Sequence, residues 1–241
     1  MNLVTLKGIR GGAGTTTVVG MLGDALHALG QRVLLVDLNS SDLLRMHFDV
    51  PRADGRGWVA SLFPDEWRRQ AFQLDGGLML VPFGRQAIES SGISHLLRGD
   101  DFWLQVLPSL ERDFDWVLFD CPPFPHRLAP ALRFRSTLDL MVAHPDMAAQ
   151  ELLSQIDFEA SSYLLINDFD PAWRLERDVL QGWQHHYGER VLPHPIYCDE
   201  SLPEALARKK PITRYMPDAR VSQAARSLAR WCLSGRQRAA A

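Results

Sequence analysis

From residue 3 to residue 30, three kinds of sequence follow one another in an order that narrows the choice of fold. Leu3–Lys7 is short and apolar, the next residues are rich in glycine, and Thr16–Leu29 has helical periodicity that stops at Gly30, a residue suited to end a helix. A strand that turns through glycine directly into a helix points successive backbone N–H groups inward. It also aims the positive end of the helix at the same spot. Arg10–Thr17 is therefore a candidate phosphate loop, and a hydroxyl directly after the last glycine is placed to ligate Mg²⁺. A tight turn without a ligand is the plainer alternative, but strand, loop, hydroxyls and helix all appear in order.

The alternation continues along the chain. Arg32–Asp37 is a continuous apolar run, the pattern of a strand covered on both faces. Similar runs recur at Leu78–Val81, Trp116–Phe119, Leu138–Val142 and Tyr163–Ile166. Helical stretches separate them; Asp170-Pro171 reads as the N-cap and first turn of one. Asp218–Leu233 closes the chain, with Val221, Ala225, Leu228 and Cys232 at helical spacing on one face and Arg226 and Arg230 off it. This order predicts an α/β fold: a Rossmann-like, mostly parallel sheet with helices on both faces, in one domain over 1–241. Ligands of such sheets sit beyond the carboxyl ends of the strands.

Residues at those strand ends carry chemistry. Asp120 ends the run Trp116–Phe119, where an acid beside the phosphate loop can hold Mg²⁺ through water; capping the next turn is the alternative. Asp37 ends the second strand likewise. Asn167-Asp168 follow Tyr163–Ile166, where a turn former is equally at home. Cys121, Cys198 and Cys232 are widely spaced, which argues for a reducing cytosol and against a disulfide frame or a zinc site. His185-His186 read as surface. No apolar run approaches the roughly 18–20 residues a membrane span requires, and Met1–Leu6 lacks the regions of a signal peptide. The net charge of −3 hides a basic segment, Arg208–Arg238, with nine Lys/Arg against Asp218 alone. It suits an acidic partner, nucleic acid or acidic lipid, or is a solvated helix face.

The loop Lys7–Thr17 resembles the deviant Walker A box, KGGxGK[ST][ST], of the ParA/MinD ATPases. The resemblance implies a P-loop NTPase of that type, holding ATP and Mg²⁺ on Arg10, Gly11, Gly12, Ala13, Gly14, Thr15, Thr16 and Thr17. Arg10 falls on the family's first lysine, which reaches across an ATP-sandwiched homodimer to the partner's phosphates. Thr15 replaces the ordinary P-loop lysine, and Thr16 supplies the Mg²⁺ hydroxyl. Asp115–Pro123 resembles Walker B and the second switch, with Asp120 toward the metal. Asp37 and Asn39 fall on a VDxDxQ pattern whose second acid positions the attacking water. Asn39 can orient a water but cannot take its proton, and Asp42 stands three residues on as a possible substitute. Asn167 matches an asparagine on the adenine edge, with Asp168 beside it, and Pro195–Glu200, including Pro195 and Asp199, matches loosely a segment closing over the base.

The narrower combination RGG-x-GTTT, with Leu43-Leu44-Arg45, Leu165–Phe169 and Trp231-Cys232-Leu233, resembles the BcsQ family, accessories of bacterial cellulose secretion. That likeness implies a cytoplasmic, ATP-dependent switch or scaffold. It would dock other proteins of the secretion apparatus and meet the membrane only through them. Thr15 and Asn39 together imply slow or absent hydrolysis. Two other readings follow from the wider family: a turning-over ATPase that positions cargo, and an ATP-dependent DNA binder using Arg208, Lys209, Lys210, Arg214 and Arg220. Protein partners are expected rather than nucleic acid. The tail Ser234–Ala241 lacks the large apolar residues of MinD's membrane-targeting helix.

Overall fold

The computed structural model describes residues 1–61, 63–85, 102–123, 132 and 135–239, with only the backbone of 236–239. Part of the tail reading, at 236–241, therefore lies outside the described side chains. The strands are β1 (Asn2–Gly8), β2 (Val33–Asp37), β3 (Phe72–Asp75), β4 (Leu78–Val81), β5 (Trp116–Cys121), β6 (Leu138–Ala143) and β7 (Ser162–Ile166). They form a sheet of order β3-β4-β2-β5-β1-β6-β7. Every neighbouring pair is parallel except β3–β4. The apolar runs read from the sequence are these strands, and β2, β5 and β6 are buried along their whole length. The antiparallel edge strand β3 went unread because Phe72-Gln73-Leu74-Asp75 alternates half-buried and exposed positions instead of running apolar.

The helices are α1 (Thr15–Ala28), α2 (Trp67–Gln70), α3 (102–110), α4 (Met147–Leu153), α5 (Arg174–Tyr187), α6 (Ser201–Ala207), α7 (Ile212–Tyr215) and α8 (Arg220–Ala239). One sheet face packs Val4, Leu6, Leu35, Leu118 and Leu140 against α1 and α8, with Val221, Ala225, Leu228 and Cys232 of α8 all buried as the stripe requires. On the opposite face Trp67, Trp103 and Leu110 cover β2 and β5, while Ala149, Leu153, Leu180 and Trp183 cover β6 and β7. Asp170-Pro171 does not open a helix. Asp170 caps a turn by accepting from the Ala172 N–H at 2.9 Å, and α5 begins at Arg174. His185 and His186 are exposed, as their adjacent positions on a helix imply.

The segment between β2 and residue 58, with one 3-10 turn at Leu44–Phe48, wraps around a buried cation. Arg45 is fully buried. It donates to the carbonyls of Pro51 (2.7 Å), Asp54 (2.8 Å) and Arg56 (3.0 Å), and its Nε lies 2.8 Å from Asp42 Oδ2. The other Asp42 oxygen accepts from the Phe83 N–H at 3.1 Å. Asp42 is therefore committed to Arg45 and the loop after β4, and it does not stand in for the missing acid at Asn39. His47 packs against α1, where a Cβ on Gly20 would meet its ring at 3.3 Å.

Two stability predictions follow from that segment. Asp42→Ala strands a buried guanidinium without its counter-charge, a loss of about 3–5 kcal/mol, read from urea denaturation. Burial pulls His47 from the usual 6.5 down to about 4, so the unfolded chain takes up the proton first. The neutral ring's contribution is present above pH 6.5 and is lost as pH falls toward 4. Urea midpoints over that range should fall less in His47→Gln than in the wild type; equal slopes would show that His47 is not the source.

Candidate functional site

β1 lies between β5 and β6, so the loop leaving it emerges at the middle of the sheet's carboxyl edge. Gly12 (φ 81°) and Gly14 (φ 83°) hold left-handed conformations there, open to glycine at no steric cost. A Cβ on Gly14 would also collide with the Asn167 amide. Gly14 caps α1 with no side-chain hydrogen bond, and the first turn of α1 contains no acid. A helix N-terminus left in that state is suited to an anion. Gly11 and Gly12 are exposed, while Thr15, Thr16 and Thr17 are half-buried at the start of α1.

Beside this loop stand two carboxylates. Asp37 of β2 and Asp120 of β5 are partners in register on adjacent strands, and both are fully buried. Asp37 accepts from the Asn39 N–H (2.9 Å) and the Leu44 N–H (3.2 Å). Both oxygens of Asp120 are buried without a hydrogen bond of ordinary geometry. Burial pushes Asp120 up to about 7, opposed only by Thr16, whose side chain favours the ionised form. Asp37 is likewise raised, by burial first and by the charge of Asp120 second. Two desolvated acids beside a threonine hydroxyl fit a small hard cation, which would supply the missing charge. Thr16 and Asp120 are the residues that would hold it. Asn39 is half-buried and its side-chain oxygen accepts from the Ser41 N–H at 3.1 Å, so it organises the loop after β2.

Arg10 is half-exposed, with its guanidinium paired to Asp146. Asp146 also caps α4, accepting from the Ala149 N–H at 2.7 Å. Burial works against its charge, but the Ala149 N–H and Arg10 hold it below the usual carboxylate range. Sequence reasoning missed Asp146, although its position after the apolar strand β6 is the same signal that marked Asp37 and Asp120. It also missed His144, 3.5 Å from Glu176, which links the end of β6 to α5.

On the other flank Asn167 is buried and donates from Nδ2 to the Ala13 carbonyl at 2.8 Å, tying the end of β7 to the phosphate loop. Asp168 is exposed at φ 56°, and its bond to the Cys198 thiol pushes that group up to about 11. Pro195 is half-buried on the segment that runs beside Ile166–Phe169 through the Ile196 N–H to Ile166 carbonyl bond (2.9 Å). The Asp199 carboxylate accepts from Ser201 N (3.0 Å) and Oγ (2.5 Å), just before α6. The basic segment is also engaged within the chain. Arg214 pairs with Asp24 (2.6 Å) and Asp75 (3.2 Å), Lys209 with Asp49 (3.1 Å), and Arg220 lies 5.0 Å over the Tyr197 ring. Arg208 and Lys210 are exposed.

Comparison with known proteins matches this geometry. The family described as cellulose biosynthesis protein BcsQ matches residues 1–233. BcsQ of Escherichia coli (strain K12) is 32% identical over 242 residues, covering 97% of this chain and 94% of that protein. BcsQ of Salmonella typhimurium is 32% identical over 238 residues, with the same coverage. Among solved structures, the MinC:MinD cell division protein complex of Aquifex aeolicus aligns with a TM-score of 0.76 at 17% identity, covering 97% of this chain and 96% of that one. A cobyrinic acid a,c-diamide synthase from Mycobacterium smegmatis, with bound ATP analog and magnesium, aligns with a TM-score of 0.74 at 22% identity, covering 97% and 94%. A ParA family ATPase from Chlorobium tepidum gives 0.73 at 16% identity, covering 95% and 98%. By its sequence the chain belongs to the BcsQ family of cellulose biosynthesis proteins, and it carries the P-loop fold of the MinD and ParA ATPases.

Proposed function

We propose that this chain binds ATP with Mg²⁺ on Arg10–Thr17 and works as a dimerising switch or scaffold for cellulose biosynthesis and secretion, with hydrolysis slow or absent. The observation that carries the reading is Asp120: a fully buried carboxylate with no hydrogen bond of ordinary geometry, eased only by the Thr16 side chain, at the mouth of a helix that no side chain caps. When bound, Mg²⁺ neutralises phosphate charge. The main-chain N–H groups of Gly11–Thr17 would cradle the phosphates, Thr16 and Asp120 would hold the ion, and Asn167 with Asp168 and Pro195 would flank the base. Asp37 and Asn39, at the end of β2, would orient water for the terminal phosphate. The Asp37 carboxylate accepts the Asn39 N–H, so the two act as one positioned unit.

Two gaps support slow turnover. Thr15 brings no cation to the phosphates, and Asn39 brings no carboxylate to the water. General-base action typically contributes about 10²- to 10⁴-fold, so its absence weighs more than any adjustment of binding. Arg10 restores charge only by leaving Asp146 for the nucleotide of a second chain, which links ATP affinity to dimerisation. Among the described residues no helix is long and apolar enough to cross a membrane. The protein would act in the cytoplasm and reach the inner-membrane synthase through other proteins of the apparatus.

Purified protein should carry ATP rather than ADP when its nucleotide is released by heat and separated by chromatography. Asn39→Asp should raise the single-turnover rate of phosphate release. Bound ADP with brisk wild-type turnover would replace this reading with that of a cargo-positioning ATPase. Arg10→Ala should weaken ATP binding by about ten- to a hundredfold, the worth of a charge-assisted hydrogen bond, and should lower the dimer fraction in light scattering with ATP and Mg²⁺. An unchanged ATP-dependent dimer would remove Arg10 from the interface.

A further inference from the structure

The peptide that leads into α1 has two orientations open to it, and one side chain chooses between them. Gly14 stands at φ 83°. A peptide plane followed by glycine can turn over by trading the ψ of one residue against the φ of the next, because glycine takes either sign of φ at little steric cost. The plane between Ala13 and Gly14 is therefore not fixed by its own residues. Asn167 fixes it, donating from Nδ2 to the Ala13 carbonyl at 2.8 Å. A trans peptide carries its C=O and N–H on opposite sides of one plane. Holding the Ala13 carbonyl on Asn167 thus turns the Gly14 N–H away from β7.

Asn167 is itself a rigid post. It is 7% exposed, and its backbone N–H donates to the Ala143 carbonyl at the end of β6 (2.9 Å). Ile196 clasps the residues on either side: its N–H donates to the Ile166 carbonyl (2.9 Å), and its carbonyl accepts the Phe169 N–H (3.0 Å). Gly14 leaves the room required, since a Cβ there would overlap the Asn167 amide nitrogen. Among the described residues, no backbone N–H from Gly11 to Thr17 donates to another group of the chain. The whole run is left for an anion, provided that each N–H points the right way.

We infer that Asn167 is a positioning residue for the phosphate loop: through the Ala13 carbonyl it holds the Gly14 N–H toward bound phosphates, whatever base they carry. The inference rests on the phosphate-loop reading above and gives Asn167 a part in it that needs no contact with a base. A nest of amides attracts an anion only while its donors converge. Turning over the plane between Ala13 and Gly14 removes one donor and presents a carbonyl oxygen to the same negative charge. Thr15, standing where a loop lysine would be, brings no cation to offset that change.

The test uses the full chain and a ligand that has no base. Isothermal titration calorimetry with Mg²⁺ gives the dissociation constants of inorganic triphosphate and of ATP for wild type, Asn167→Ala and Asn167→Asp. Asn167→Ala should weaken both ligands by a similar factor, about three- to tenfold, the worth of one hydrogen bond. Asn167→Asp keeps the shape of the side chain, but at about pH 8 its ionised carboxylate has no proton to donate, so it should bind no better than Asn167→Ala. Burial raises the pKa of a carboxyl, so by about pH 5 the new group can carry a proton and donate again. Its deficit against wild type at the same pH should then shrink, while that of Asn167→Ala should not. A role in packing alone gives no such recovery. Weaker ATP binding with unchanged triphosphate binding would put Asn167 at the base and overturn this inference alone. Equal binding by all three chains, an aspartate deficit that ignores pH, or a wild type that binds ATP but not triphosphate would do the same. A wild type that binds neither ligand overturns the phosphate-loop reading and this inference together.

Discussion

A carboxylate taken out of water with no hydrogen bond of ordinary geometry stays where it is only because everything around it is rigid. Asp120 is in that position, with the equally buried Asp37 one strand away, whose ionised form burial and then the charge of Asp120 disfavour. Solvent would relieve both at once if β5 or β2 could shift. Hydrogen bonding on both sides prevents it: β5 pairs with β1 and β2, and β2 pairs with β4. The parallel ladder thus stores an unfavourable interaction at the sheet's carboxyl edge, and a bound cation would discharge it. The fold and the site share one constraint: strands buried along their whole length are what make such a pair of acids tolerable.

Much of this was legible in the sequence where burial is complete. Apolar runs marked the inner strands because both of their faces are covered, and the Val221–Cys232 stripe marked α8 because one of its faces packs on α1. Edges were harder. β3 has one covered face and a mixed composition, and Asp170-Pro171 has the residues of a helix start but spends them on a turn before Trp173. The ends of strands gave the types of the site residues but not their partners. Asp37, Asp120 and Asn167 stand where the strand ends place them. Whether a carboxylate faces a ligand or another part of the chain depends on contacts distant in sequence. Asp42 is claimed by Arg45 and Phe83, Asp199 by Ser201, and Arg10 by Asp146, 136 residues away.

The loop chemistry follows from the same electrostatics. An ordinary phosphate loop brings a lysine to its own phosphates; here Thr15 stands in its place and the nearby cation, Arg10, is turned toward Asp146 on α4. The anion-attracting part that remains is mostly backbone: amides of the loop and the dipole of α1. A site made of amides is fixed in geometry and constant in charge from one pH to the next. The side chains contribute what varies, through one guanidinium paired to Asp146 and two acids whose ionisation burial disfavours.

Arg45 has a consequence for how this family can drift. Most surface loops accept insertions because their backbone groups face water, and lengthening them costs little closure entropy. The loop after β2 closes on a buried cation, with the carbonyls of residues 51, 54 and 56 fixed around it. Inserting or deleting one residue between Asp42 and Arg56 would pull a carbonyl off the guanidinium and leave part of a buried cation without its acceptor. Substitutions on the outer side of this loop disturb these bonds less than a change in its length. The spacing from the second strand to Trp58 should therefore be a more durable mark of descent than the residues that fill it.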